Sequence, residues 1–347
     1  MSTLQIGLAI AGGLVLAAVV AHGAWTARKV APRQAQQSGA DAYRPTEPGE
    51  AIEPRLDADE FDVPPVPLHP PAEKKPGMDA LIDVIAPVAL EAEVHGEAVV
   101  ASMPTTRRVG SKPFAVEGLN RDTRHWESPT AGQRYEALQV GVQLANRTGA
   151  LNEIEFSEFV AKTQALCDAI GGTADFPDML EEVARARELD QFASGHDAQL
   201  GFTLRAQSAA WSPGYVQQQA ARLGFIHGSL PGRMVLPATG AGMPPVLSLL
   251  FDTQAALAED PAQAAVRQVA LGLDVAQVER SEQPFVRLRD VAHAMAQAMD
   301  GIITDDNGQV LPRDAMDAIG GELEGLYDTL EQRDLAAGSA LARRLFS

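Results

Sequence analysis

The side chains able to do chemistry are few, and their spacing suits none of the common reactions. Histidines stand at 22, 69, 95, 125, 196, 227 and 293, and no spacing among them would bring two rings to one helix face or turn as a metal site requires. Asp305-Asp306-Asn307-Gly308 carries the carboxylates of a calcium loop but lacks its alternating ligand positions and terminal glutamate. It reads as a hairpin turn. His196-Asp197 offers a base and an orienting acid with no nucleophile motif nearby, and reads as a solvated loop between a helix and a strand. Glu181-Glu182 falls on a charged helix face and is expected to be solvated. Cys167, the one cysteine, has no histidine or basic neighbour at helical spacing, so a core thiol is expected rather than a nucleophile. Phosphate loops with Gly-Lys-Ser/Thr, His-Glu-x-x-His, Gly-x-Ser-x-Gly and Cys-x-x-Cys are absent. The expectation is a protein without catalysis, metal, cofactor or small-molecule substrate.

Composition narrows the partners. Acids outnumber bases 46 to 28 in 347 residues, a net charge of −18. Such a chain is repelled by nucleic acid and by anionic lipid headgroups, so no nucleic-acid partner is expected. One cysteine forbids an internal disulfide, which fits a reducing compartment.

Attachment to a bilayer would need an apolar anchor, and residues 4–24 supply one. Twenty-one residues at a helical rise span about 30 Å, one hydrocarbon core. Leu4, Ile6, Leu14, Leu16 and Val20 give the run its lipid-facing surface, and Trp25 fits an interfacial anchor. No Lys or Arg precedes the run, whereas Arg28, Lys29 and Arg33 follow it. A cleaved export signal has the reverse polarity. The pattern predicts a transmembrane helix over 1–29, single-pass in the cell inner membrane, with a periplasmic N-terminus and a cytoplasmic body. An export signal and a buried soluble helix are the alternatives. From 30 to 78 hydrophobic periodicity is lost, and prolines (Pro32, Pro45, Pro48, Pro54, Pro64-Pro65-Val66-Pro67, Pro70-Pro71) mix with acids. This predicts a disordered Pro-rich acidic linker.

The body behind this leash reads as α+β, an antiparallel β-sheet with helices packed on one face. Leu200, Phe202 and Leu204 alternate with Gly201, Thr203 and Arg205. Leu247, Leu249 and Phe251 alternate with Val246, Ser248 and Leu250, and Leu271, Leu273 and Val275 with Ala270, Gly272 and Asp274. The second face of such a sheet holds small residues and an apolar patch of Val246 and Leu250. Either a partner or the other half of the body could cover it. Helical stripes run through Phe156, Phe159, Val160, Thr163, Leu166, Cys167 and Ile170, through Phe285, Leu288, Met295 and Met299, and through Met316, Ile319, Leu323, Leu326, Tyr327 and Leu330. Asn152 with Glu155 forms a capping-box pattern.

Three stretches recur at an offset of about 130 residues in the same order. Residues 140–145 match 271–276, 113–119 match 245–251, and 156–172 match 285–301; Pro177 and Pro312 then precede further helices. A degenerate tandem duplication is the reading, with a single elaborated domain as the alternative. Residues 79–197 form the first copy or extension, and 198–347 the C-terminal domain.

Several motifs resemble the ZipA family, membrane-anchored cell-division adaptors that bind the tubulin-like protein FtsZ. They are residues 21–29 at the exit of the span, Leu223-Gly-Phe-Ile-His-Gly228, Pro245-Val-Leu-Ser-Leu249 and Gly301-Ile-Ile-Thr-Asp-Asp306. The order of parts is also similar: span, basic stop, proline-bearing linker, globular domain. The resemblance implies a split β-α-β domain without catalytic role, which binds the FtsZ C-terminal tail on an exposed sheet face. Carried over, that groove comprises Leu230, Ser248, Leu250, Ala270 and Gly272, with Gly201 and Thr203 on the neighbouring strand. Gly272 and Asp252 stand where the family leads one to expect larger apolar residues. The resemblance thus implies a membrane tether for FtsZ. The alternative is an inner-membrane envelope scaffold for a different division or envelope protein.

Overall fold

A computed structural model describes residues 77–258 and 264–347. The predicted span, with Leu4, Ile6, Leu14, Leu16, Val20 and Trp25, and residues 30–76 of the predicted linker lie outside the described residues. No helix among the described residues is long and apolar enough to cross a membrane.

The described chain is α+β and falls into two units of the same plan. The first runs β1 (Asp83–His95), α1 (Gly96–Ser102), β2 (Arg108–Val109), β3 (Lys112–Asn120), β4 (Trp126–Glu127), β5 (Arg134–Gln143), β6 (Ala145–Asn146), β7 (Gly149–Ala150), α2 (Glu153–Ile170), β8 (Gly172–Ala174) and α3 (Met179–His196). The second runs β9 (Gln199–Ala206), α4 (Pro213–Arg222), β10 (Ile226–His227), β11 (Arg233–Leu236), β12 (Leu247–Phe251), α5 (Thr253–Ala256), β13 (Gln268–Asp274), α6 (Pro284–Met299), β14 (Gly301–Thr304), α7 (Arg313–Gln332) and α8 (Ala340–Leu345).

Each unit builds its own antiparallel sheet. The order is β2-β3-β5-β1-β8 in the first, with β4 beside β3, and β10-β11-β12-β13-β9-β14 in the second. The central strands correspond one to one, and their registers agree. Val88 on β1 faces Leu138 on β5 and Ala174 on β8. Leu204 on β9 faces Val269 on β13 and Ile303 on β14 in the same way. In both units a long helix follows the second central strand, ends on a left-handed residue, and leads directly into the short edge strand. That residue is Gly171 in the first unit and Asp300 in the second.

The helix ends follow local chemistry. Asn152 accepts from the N–H groups of Ile154 and Glu155 while Glu155 reaches back to the Asn152 N–H, the reciprocal cap expected from the sequence. The α2 stripe buries Phe156, Phe159, Leu166 and Cys167, and Phe159 meets Phe114 of the sheet edge-on at 6.2 Å. In the second unit α6 buries Phe285, Leu288, Met295 and Met299, with Phe285 edge-on to Phe202 at 6.3 Å. Burial pushes the Cys167 thiol above its ordinary pKa, as befits a core residue.

Polar contacts join the units. The Arg147 guanidinium bonds Asp197 at 2.6 Å and Asp274 at 2.7 Å. Short helix α8 and the residue that follows it bury Ala342, Leu345 and Phe346 at the junction. Its Arg344 pairs with buried Asp83 of β1 at 2.5 Å, and Gln143 Nε2 donates to the Arg344 carbonyl at 2.8 Å. From the second unit, Gln277 Nε2 donates to the Phe346 carbonyl at 2.7 Å.

Four expectations need correction. Glu182 is buried rather than solvated, because Arg185 one turn on supplies a counter-charge at 2.6 Å. His196-Asp197 is not a solvated loop. His196 closes α3, stacks on Phe192 at 4.3 Å and bonds the Phe192 carbonyl, while Asp197 is held by Arg147. Val246 is buried and adds nothing to the open face, because β12 begins one residue later and the alternation does not reach back past the strand start. Gly77 and Met78, placed in the linker by composition, lie across the first sheet, where the Met78 N–H donates to Glu117 Oε1 at 2.9 Å.

Candidate functional site

The open face of the second sheet is where the sequence-predicted site residues meet. Strand alternation sends one set of side chains to the helices and the other outward. Two outward rows result. In one, Leu250 of β12 faces Arg233 of β11 and Ala270 of β13, and Ala270 faces Thr203 of β9. In the next, Ser248 faces Val235 and Gly272, and Gly272 faces Gly201. Six predicted residues, Gly201, Thr203, Ser248, Leu250, Ala270 and Gly272, therefore share one surface.

Leu230 does not join them. It sits in the β10–β11 turn, exposed, beside a separate hollow shared with Gln217, Phe251 and Ala256. The chain turns back there before the strand begins, so sheet alternation does not govern its direction.

Among the described residues nothing covers the face, and it is apolar at its centre. Leu250 is 44% exposed. A hollow of about 490 Å³ opens beside it, lined by Thr203, Leu250, Asp252, Arg267, Gln268 and Ala270 among others. Small neighbours leave the floor low, so a visiting side chain would contact backbone as well as Leu250. Arginines border the face: Arg233 and Arg205 project from the strands, and Arg267 lines the hollow. Among the described residues none of the three has an ion pair or side-chain hydrogen bond, whereas Arg121, Arg147, Arg185, Arg280 and Arg344 are all matched to acids. Arg233 and Arg267 were not anticipated from sequence. Their signal was a base without an acid at pairing distance, which only the strand register makes visible.

A second cleft of about 460 Å³ lies between α6 and α7, lined by Arg280, Phe285, Arg289, Asp317, Glu324 and Tyr327 among others. Its charges satisfy one another: Arg280 pairs with Glu324 and Asp328 and lies 5.6 Å from the Tyr327 ring centre, and Arg289 pairs with Asp317. Burial pushes the Tyr327 hydroxyl up to about 12, away from proton transfer near neutrality. Among the described residues no group of three or more His, Cys, Asp or Glu could hold a metal ion. No protein-family model matches the chain, and no curated protein matches it.

Proposed function

We propose that this protein is a non-catalytic membrane tether whose second unit receives the C-terminal tail of FtsZ on the open face of the β10–β14 sheet. The carrying observation is Leu250, a large apolar side chain left 44% exposed at the centre of a face with glycine, alanine, serine and threonine around it. An exposed apolar patch on a sheet is a common mark of a partner surface. The motif likeness to the ZipA family supports FtsZ as the partner. The N-terminal run supplies the lipid attachment that a net charge of −18 opposes, and holds the body on the cytoplasmic side of the inner membrane. The two units descend from a tandem duplication, a reading supported by their common strand order and register.

The mechanism is physical. A few apolar side chains of the tail carry most of the energy, and one such contact of micromolar strength is worth about −8 kcal/mol. A filament displays many tails and the membrane confines many receptors, so weak contacts add into firm attachment.

Fluorescence anisotropy with a labelled FtsZ tail peptide tests the reading. The full chain binds, and Leu250→Lys loses at least a hundredfold while its circular dichroism is unchanged. Failure of the unaltered chain to bind removes FtsZ as the partner; if the chain still fractionates with the inner membrane, it favours a scaffold for another envelope protein. A reporter fused after residue 347 is expected to be active in the cytoplasm only, and periplasmic activity would overturn the topology.

A further inference from the structure

We propose that residues 61–68, Phe61-Asp-Val-Pro-Pro-Val-Pro-Leu68, occupy the open face of the second sheet, so that a partner docks there by displacing a segment of the chain itself. The inference rests on the reading of this face as the docking surface and adds how access to it is regulated.

The first unit shows the same arrangement in place. Glu117 and Gly141 hold there the positions that Leu250 and Gly272 hold in the second unit. The Met78 N–H donates to Glu117 at 2.9 Å, and the Met78 sulfur lies where a Gly141 Cβ would be. The residues just ahead of β1 thus cross the outward face of the first sheet. In the second unit a leucine replaces the acid that holds the Met78 backbone, so the matching occupant is held by apolar side chains rather than by an N–H. The apolar area is wider than Leu250 alone. Exposed Ile226 of β10 joins the face, because it pairs with Val235 and Val235 pairs with Ser248.

The chain ahead of Gly77 carries a stretch that answers such a surface. Phe61, Val63, Val66 and Leu68 stand close together, whereas residues 31–60 hold only Tyr43, Ile52 and Leu56 of comparable size. Pro64, Pro65 and Pro67 have no N–H to give to a strand edge, so the stretch suits the face of a sheet rather than its rim. Proline also leaves less freedom to lose on docking. Residues 259–263, likewise outside the described residues, read Glu-Asp-Pro-Ala-Gln and offer no large apolar side chain. Charge does not choose the occupant, because acids stand among the arginines: Asp306 lies beside Gly201, and Glu259 and Asp260 precede Arg267 in the chain.

The tether is long enough. The Gly77 carbonyl accepts from Arg344 Nη1 of α8 at 3.3 Å, so the first described residue lies where the two units meet. At about 3.1 Å per residue, an extended chain covers about 28 Å from Gly77 to Leu68 and about 50 Å to Phe61. A body of this length has a radius of gyration of about 18 Å, so the second face is within range. Tethering holds the stretch at an effective concentration of about a millimolar, and a contact too weak to matter between molecules then fills the face.

The test uses the full chain in detergent micelles with the photoreactive residue p-benzoylphenylalanine in place of Phe61, and maps the products of illumination by mass spectrometry. Position 61 is expected to join Ile226, Val235 or Leu250 of the same chain. Joining only to other parts of the chain, only between two copies, or not at all would overturn the proposal. Excess FtsZ tail peptide should lower the joined fraction at least threefold. The variant with Phe61→Ser, Val63→Ser, Val66→Ser and Leu68→Ser should bind the labelled tail at least threefold more tightly than the unaltered chain, and equal affinity would overturn the competition. Should the tail bind neither chain while position 61 still joins the face, the partner is wrong and the internal occupant stands.

Discussion

On the first sheet Glu117 and Gln139 face each other across paired strands, 8% of Glu117 is exposed, and Gln139 Nε2 donates to its carboxylate at 2.7 Å. On the second sheet Leu250 and Ala270 hold those two positions, and Leu250 lies open. The scaffold beneath is the same in strand order and register. The first unit has turned its outward face into part of the structure, closed by a polar pair and by residues Gly77 and Met78 of its own chain. The second leaves the matching positions open, with Leu250 exposed. Under the proposed function the two units divide two jobs, one face holding the molecule together and the other holding a partner.

The largest effect should come from breaking the joint that keeps the two faces in one molecule. Arg344→Met leaves Asp83 without its partner in a buried setting and should cost about 3–5 kcal/mol near neutrality, read by urea denaturation. Burial is the leading cause that already raises the Asp83 pKa, against the opposing pull of Arg344. A carboxyl whose folded pKa lies above its unfolded value favours folding when protonated. The deficit of the variant should therefore shrink as pH falls through the raised folded value toward about 4, and grow as pH rises. A deficit that is flat with pH would show that Asp83 does not set it.

Next in size is a swap of the faces. Leu250→Glu with Ala270→Gln writes the polar pair of the first sheet onto the second. It should lower FtsZ tail affinity at least a hundredfold by anisotropy and shift stability by no more than about 0.5 kcal/mol, since the positions are outward. Tail binding that survives the swap would mean that the difference between the faces carries no function.

Met78→Ala uncovers Gly141 and should cost about 1 kcal/mol with tail binding unchanged, because the first face is structural. The smallest effect compares the two turns after the long helices. Asp300 adopts φ 57° where the first unit has Gly171 at φ 69°. Asp300→Gly should stabilise by about 0.5–1 kcal/mol and Gly171→Ala destabilise by about 1 kcal/mol, both visible as opposite shifts of the thermal midpoint.

Much of this plan is legible in the chain because it rests on local periodicity. The alternation of Leu247 to Phe251 and of Leu271 to Asp274 identifies the strands and, with them, which side chains share a face. The Asn152–Glu155 cap and the Phe and Met stripes place the long helices within a few residues. What periodicity leaves out is contact between distant segments. Glu182 reads as solvated until Arg185, which also donates to the distant Ala80 carbonyl, is seen to turn onto it, and Met78 reads as linker until the sheet beneath it is known. Leu230 stands near the groove in sequence yet lies off it, because a turn and not a strand aims its side chain. The arginine border depends on which acids are out of reach, a property of the assembled register.

Cys167 is the chain's one thiol, and it lies sealed in the first core with its reactivity suppressed by burial. The protein is thereby a clean host for thiol-directed labels. A cysteine introduced at Ala137 or at Gln268, matching outward positions on the two sheets, would carry a spin or fluorescent reporter with little background from the native residue. The covered and the open face could then be watched separately in one molecule.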